Sequence, residues 1–433
     1  MFAFTFARYQ SKNSLFVILY NIFFALFKAG TFIYSLFNNK AKKWTDGRKN
    51  IFERLESAIP GDEKIIWMHC ASLGEFEQGR PVLEKIKSQI QKSKILLTFF
   101  SPSGFEVQKN YSGADWVFYL PMDGAMNAKR FLDIVDPTLV LFVKYEFWYY
   151  YLKKIRYRKI PLLLISAVFR KDMSSFKWFG RFQLKMLSRF DHIFLQNESS
   201  KKLLDDFDIT RNYSVAGDTR FDRVIEIAEN FKPIDSIEKF CADKKVTVAG
   251  STWPEDEEIL NSVFETIRKN DLKLIIAPHE ISEKHLSELK KRFPESLLFS
   301  QLTTHDSRLT NCLIIDNIGM LSRLYHYAYI TFVGGGFRPM GVHNVTEAAV
   351  YGKPVLMGPH ISKYREAVEL VNAKGGFCVN NAEEFSSLIT DLVNNKDNCY
   401  NHSANQAYTY IRENAGAVNK ILNYIQVNRL LTN

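Results

Sequence analysis

Short apolar runs alternate with helix-like segments from about residue 64 onward, and this alternation restricts the fold more than any other feature of the chain. Residues 65–69 read as a buried strand, 81–91 as a helix with apolar positions at helical spacing, and 95–100 as the next strand. The runs at 139–143, 162–165 and 192–195 continue the series, each bounded by polar or helix-starting residues. After a looser, more charged stretch at 218–235 the pattern restarts with 246–249, 274–276, 312–315, 330–333 and 354–357. Such alternation predicts doubly wound parallel sheets of the α/β class. A chain of 433 residues is also too long for one ordinary core. The expected fold is therefore two Rossmann-like domains facing a central cleft, with ligands bound beyond the carboxyl ends of the strands. The expected boundaries are 1–40 for an apolar N-terminal segment, 41–222 for the first domain and 223–433 for the second. A C-terminal helix is expected to pack back on the first domain.

The N-terminal segment has its own character. Residues 15–37 are almost wholly apolar, interrupted by Asn21, Lys28, Gly30 and Thr31, and are followed by Lys40, Lys42, Lys43, Arg48 and Lys49. This predicts a membrane-associated helix, spanning or lying in the interface, with its basic flank against the cytoplasmic leaflet. A helix buried in the first domain is the alternative. No small-residue cleavage site follows, which argues against a removable signal peptide. The net charge of +10 suits an anionic partner such as phospholipid or nucleotide, or simply a basic protein. Further basic groups occur at Lys153, Lys154, Arg156, Arg158 and Lys159, and again at Arg170, Lys177, Arg181, Lys185 and Arg189. They read as a solvated face or as a hold for an anionic headgroup. No aromatic RNA platform or helix-turn-helix signal accompanies the charge, so nucleic acid is not the expected partner. The five cysteines are scattered, which points to a reducing compartment and away from zinc or a disulfide framework.

Chemistry is expected at the strand ends. The stretch from Trp67 to Arg80 reads as a strand ending in a glycine turn that presents Glu75, a carboxylate able to accept a proton from a hydroxyl. Glu146 is the second acid expected to face the cleft. In the second half, Gly334, Gly335 and Gly336 follow a strand, and Gly341 with Val342, His343 and Asn344 is read as opening a helix through Glu347. Glycines let a phosphate approach the backbone, and free amides at a helix start attract its charge. His343 and Asn344 could add hydrogen bonds, although Asn344 with Glu347 also fits a capping box. Gly250, Ser251 and Thr252, and likewise Gly358 and His360, sit after strands where the same pocket would lie. Ser and Thr there suit phosphate or a helix cap equally well.

Together these segments resemble the 3-deoxy-D-manno-octulosonic acid (Kdo) transferases. The likeness runs through Ser72-Leu73-Gly74-Glu75, Glu146-Phe147-Trp148, Gln196-Asn197-Glu198, Gly217 with Arg220-Phe221-Asp222, Phe332-Val333-Gly334-Gly335, residues 341–349 and Met357-Gly358-Pro359-His360. It implies a metal-independent, inverting GT-B glycosyltransferase that uses CMP-Kdo as donor substrate and needs no cofactor. It also implies a lipid A precursor as acceptor, through its 6′-hydroxyl, at the inner face of a Gram-negative inner membrane. Glu75 would be the general base, with Ser72, Gly74 and Glu146 on the acceptor side. Four positions depart from the pattern. Lys144 stands where many members carry an acid, His279 in Pro278-His279-Glu280 where the pattern has arginine, Met320 after Gly319 where it has glutamate, and Val168 where an arginine is expected. His279 is still placed on the donor side. The alternatives are a GT-B enzyme using a UDP-sugar with a lipid-linked acceptor, or a membrane-bound nucleotide- or nucleic-acid-binding protein without transfer activity.

Overall fold

A computed structural model describes residues 2–90, 92–171, 173, 181–207, 212–302 and 310–431. Lys177 and the side chain of Arg181 lie outside the described residues. The chain forms two compact units, Met1–Arg220 with Gly416–Asn433, and Phe221–Ala415.

The first unit contains β1 (Ile65–Cys70), β2 (Lys94–Phe99), β3 (Trp116–Tyr119), β4 (Pro137–Val143), β5 (Leu162–Ala167), β6 (His192–Leu195) and β7 (Tyr213–Val215). They pair in the order β3-β2-β1-β4-β5-β6-β7, all parallel. Alternating side chains feed two cores. Trp67, Leu96, Val140, Phe142 and Leu164 point to one face, and Ile66, Met68, Leu97, Leu141 and Val143 to the other. Val418, Ile421, Leu422 and Ile425 of the last helix, Ala417–Val427, are buried in that second core. Each such side chain contributes about 1.5–3 kcal/mol by leaving water.

The second unit contains β8 (Lys245–Thr252), β9 (Leu272–Pro278), β10 (Leu297–Leu298), β11 (Cys312–Ile314), β12 (Ile330–Val333), β13 (Val355–Met357) and β14 (Gly376–Cys378). Their order is β10-β11-β9-β8-β12-β13-β14, again all parallel. Both units are Rossmann-like. Strand order reverses between β1 and β4 in one and between β8 and β12 in the other, and a ligand crevice opens at such a reversal.

The strands β3, β7, β10 and β14 have no counterpart among the expected runs, and two helices begin elsewhere than expected. The first helix of the first sheet is Leu73–Gln89 and starts at Leu73 rather than at Pro81. Gly79, which reads as a turn, lies inside it, where a Cβ would come 2.9 Å from both Met68 Sδ and Val143 Cγ2. The glycine permits close packing of helix on sheet. The helix expected from Gly341 is only Thr346–Ala349, because the Asn344 side chain accepts from the Thr346 N–H at 3.2 Å and hydroxyl at 2.6 Å and holds the preceding residues in a turn.

The N-terminal helix runs Phe2–Tyr34. Its stretch Leu15–Tyr34 has a mean hydropathy of 1.8, and none of it is buried. At about 1.5 Å per residue it is long enough to cross a bilayer core of about 30 Å. One edge is tied to the first unit. Tyr20 donates to Asp123 at 2.5 Å, the Tyr150 hydroxyl donates to Asn21 at 2.9 Å, and Val17 and Phe24 rest on the first core. Elsewhere Leu19, Ile22, Phe23, Leu26 and Ile33 are exposed.

Candidate functional site

Glu75 occupies the third position of the helix that follows β1. Its Oε2 accepts the Ser72 N–H at 2.9 Å and lies 3.3 Å from the Ser72 hydroxyl, so the two residues form a capping box. The side chain is only 8% exposed. Burial, and then the charge of Glu146, push its pKa up to about 7, against the pull of Lys144 and the backbone N–H groups of Ser72 and Ala71. Gly74 precedes it in the first turn, and the space a Cβ would take there is open for 4 Å.

Glu146, after β4, is likewise buried. Trp148 Nε1–H donates to its Oε2 at 2.6 Å, and His69 Nε2 lies 3.3 Å from the same oxygen. His69 Nδ1 is 2.9 Å from the Thr98 hydroxyl, which accepts the Trp67 indole N–H at 2.8 Å. His69 Nδ1 also lies 3.1 Å from the Thr98 carbonyl oxygen, which can only accept, so that contact calls for a proton on Nδ1. Lys144, at the end of β4, adopts φ 68°, a left-handed conformation that is costly for a side chain of this kind. Burial lowers its pKa while the charge of Glu75 raises it. Beneath these groups Gln196 Nε2 donates to Gln78 at 3.0 Å, and the Thr219 hydroxyl donates to the Gln78 carbonyl at 2.6 Å.

In the second unit the predicted residues gather at the ends of β8, β9, β12 and β13. The glycines serve contacts between backbones. A Cβ on Gly334 would lie 2.4 Å from Ser251 O, one on Gly336 2.5 Å from Gly358 N, and one on Gly358 2.4 Å from Gly336 C. Gly335 has φ +89°, a conformation that favours glycine. Gly250 faces the Tyr325 hydroxyl, 2.2 Å from where a Cβ would sit. Ser251 has φ 53°, turning the chain out of β8 into Trp253 and the helix Pro254–Lys269.

Three rings meet above that turn. Trp253 and His279 stack at 4.5 Å, as do His279 and His343, and Trp253 Nε1–H donates to His343 Nε2 at 2.8 Å. An indole N–H can only donate, so His343 keeps its proton on Nδ1, where it is a donor. Burial first, then His279 and Arg338, lower the His343 pKa to about 4. His360 is exposed, and its backbone bridges Gly336 O, at 2.9 Å, and Val342 N, at 3.2 Å.

Three predicted donor residues face inward or toward one another. Thr252 is fully buried, and its hydroxyl donates to Glu257 at 3.1 Å, which in turn meets His285 Nε2 at 2.9 Å. Its hydroxyl is therefore part of the support beneath the loop. Asn344 Nδ2 donates to Glu347 at 2.9 Å, which makes that pair a local turn lock. Sequence reasoning missed His69, Thr98, Trp253, Asp256 and Arg338. His69 lies within the stretch singled out around Glu75, but its partner Thr98 is 29 residues away.

Residues 49–223 match the family described as 3-deoxy-D-manno-octulosonic-acid transferase (kdotransferase). The chain is 31% identical over 356 residues to the 3-deoxy-D-manno-octulosonic acid transferase of Aquifex aeolicus (strain VF5), covering 80% of this chain and 92% of that one. It is 26% identical over 374 residues to the protein of the same name from Haemophilus influenzae, covering 83% and 86%. Among solved structures, the UDP-GlcNAc 2-epimerase of Neisseria meningitidis bound to UDP-GlcNAc aligns with a TM-score of 0.59 at 18% identity, over 84% of this chain and 100% of that one. That last likeness is one of fold.

Proposed function

The chain belongs to the 3-deoxy-D-manno-octulosonic acid transferase family of GT-B glycosyltransferases, and on that premise we propose that it moves Kdo from CMP-Kdo to the 6′-hydroxyl of a lipid A precursor. The observation that carries the reading is Glu75, a buried carboxylate whose pKa of about 7 suits a base at neutral pH. In the proposed step Glu75 takes the hydroxyl proton as that oxygen bonds to the Kdo anomeric carbon. The bond from that carbon to the CMP phosphate breaks on the opposite face, its electron pair leaves with CMP, and the configuration inverts. Glu146, fixed by Trp148, keeps Glu75 high by its charge and lines the acceptor side with Ser72 and Gly74.

The second unit supplies the donor half. His343 Nδ1–H is oriented by Trp253 to donate to the departing phosphate, with His279, Ser251 and His360 on the same strand ends. Fixed donors can balance a monophosphate leaving group, so the proposal includes no metal. The exposed face of the N-terminal helix would sit in the inner membrane, with Lys40, Lys42 and Lys43 toward anionic phospholipid on the cytoplasmic side.

Membranes containing the protein, incubated with CMP-Kdo and a lipid A precursor, should yield a Kdo-lipid by mass spectrometry with release of CMP. Turnover of a UDP-sugar in a parallel donor panel, with none from CMP-Kdo, would overturn this reading.

A further inference from the structure

Asp256 occupies the loop that the sequence offers to a phosphate. Its Oδ2 accepts the Trp253 N–H at 2.9 Å and the Gly335 N–H at 2.7 Å, and its Oδ1 lies 3.4 Å from the Phe337 N–H. The Gly334 N–H is bonded to Gly250 O at 2.9 Å. Amides that a bare glycine loop would turn toward an anion are thus taken by an internal carboxylate and by the neighbouring strand end. A second anion brought to this loop requires a side-chain cation beside it.

Arg338 lies on the same loop, with its N–H bonded to Gly335 O at 3.0 Å. The guanidinium carbon is 4.0 Å from the centroid of the Trp253 ring, and Nε is 3.5 Å from Glu255 Oε1. Glu255 is half exposed, so that ion pair is weak and readily exchanged for a better anion. Through Trp253 the guanidinium is held beside the ring stack that contains His279 and His343. Its charge acts on both imidazoles. Position 279 is one at which this chain carries histidine where the resembling pattern has arginine.

We infer that Arg338 is the phosphate-binding cation of the donor subsite, holding the monophosphate ester of a nucleotide-sugar in place of an arginine at position 279. This rests on the donor reading above. His343 Nδ1–H supplies a neutral donor to the same phosphate, and Arg338 supplies the charge on leaving Glu255. A planar guanidinium can meet two phosphate oxygens at once, which a histidine at 279 cannot do.

The test is calorimetric titration of the full-length protein in detergent with CMP, cytidine, UMP and uridine. Arg338→Ala is expected to lower CMP affinity roughly 10- to 100-fold while leaving cytidine affinity unchanged, so that the preference for the phosphorylated ligand collapses. His279→Arg added to that variant is expected to recover much of the loss. The Arg338 side chain is 28% exposed, so a melting curve should show the fold intact. A wild-type ratio of CMP to cytidine affinity in Arg338→Ala overturns the inference. So does an equal loss for both ligands that His279→Arg leaves unrepaired. If the wild-type protein prefers UMP, the CMP-donor reading falls and the ratio of UMP to uridine judges Arg338 instead. If it binds no nucleotide, both readings fall.

Discussion

Glu75 Oε2 accepts the Ser72 N–H at 2.9 Å, so the proposed base also closes the first turn of its own helix. One carboxylate therefore has two duties, and they can be separated. Glutamine keeps the capping oxygen but cannot take a proton. Glu75→Gln should fold normally and bind CMP-Kdo as the wild type does, while transfer falls by about 10²- to 10⁴-fold. Single-turnover assays alongside CMP titration check this; transfer at the wild-type rate would remove Glu75 from the role of base.

The raised pKa of Glu75, about 7, has a sign in both activity and stability. Activity is expected to rise with pH through about 7 as the carboxylate ionises. Stability runs the other way. Between the ordinary carboxylate value near 4.5 and about 7, the folded state holds a proton that the unfolded state has lost, so folding weakens as pH climbs through this window. Asp256, raised to about 6, acts in the same direction. Glu75→Gln removes only the Glu75 share. Denaturant melts should show it matching wild type near pH 4 and exceeding it at pH 8, by at most about 3 kcal/mol.

Gly74 offers a test that divides fold from function. Nothing lies within 4 Å of the Cβ it lacks, and it sits in a helix. Gly74→Ala should raise stability by roughly 0.5–1 kcal/mol. If the acceptor approaches this turn, the same methyl should raise the acceptor KM several-fold with the donor KM unchanged. An unchanged acceptor KM would move the acceptor elsewhere.

Gly336 makes the opposite case. Its Cβ would meet backbone of Gly358 at 2.5 Å, and backbone cannot rotate away as a side chain can. Gly336→Ala is expected to cost about 1–3 kcal/mol and to lower the melting temperature by several degrees. A thermal shift measurement decides it.

Replacing Leu19, Phe23 and Leu26 by glutamine alters exposed side chains of the N-terminal helix and leaves Tyr20 bonded to Asp123. The variant should leave anionic vesicles for the supernatant in a flotation assay while its melting temperature is unchanged. Retention on the vesicles would show that this face is not the membrane contact.

Much of the fold was legible because apolar strands of a parallel sheet are nearly continuous, and β1, β4, β8 and β12 all announce themselves in that way. Glu75 was legible for a similar reason, since its partner Ser72 is three residues away. The helix start at Leu73 was hidden by Gly74 and Gly79, which look like a turn until the packing against Met68 and Val143 is seen. Asp256 was hidden, because the Gly335 amide it holds is 79 residues away. The ring stack of Trp253, His279 and His343 is assembled from three separate strand ends. No local pattern marks such a meeting.

The burial of Val418, Ile421, Leu422 and Ile425 in the first unit sets a timetable for biosynthesis. The ribosome makes that helix after residues 221–415, so those residues are complete in sequence before the unit that precedes them can shut its second core. Until then Ile86, Leu97 and Leu141 lack their final cover. Loss of residues 416–433, remote in sequence from every proposed catalytic group, would therefore leave a nascent product bound for chaperones or the protease rather than a shortened form of the fold.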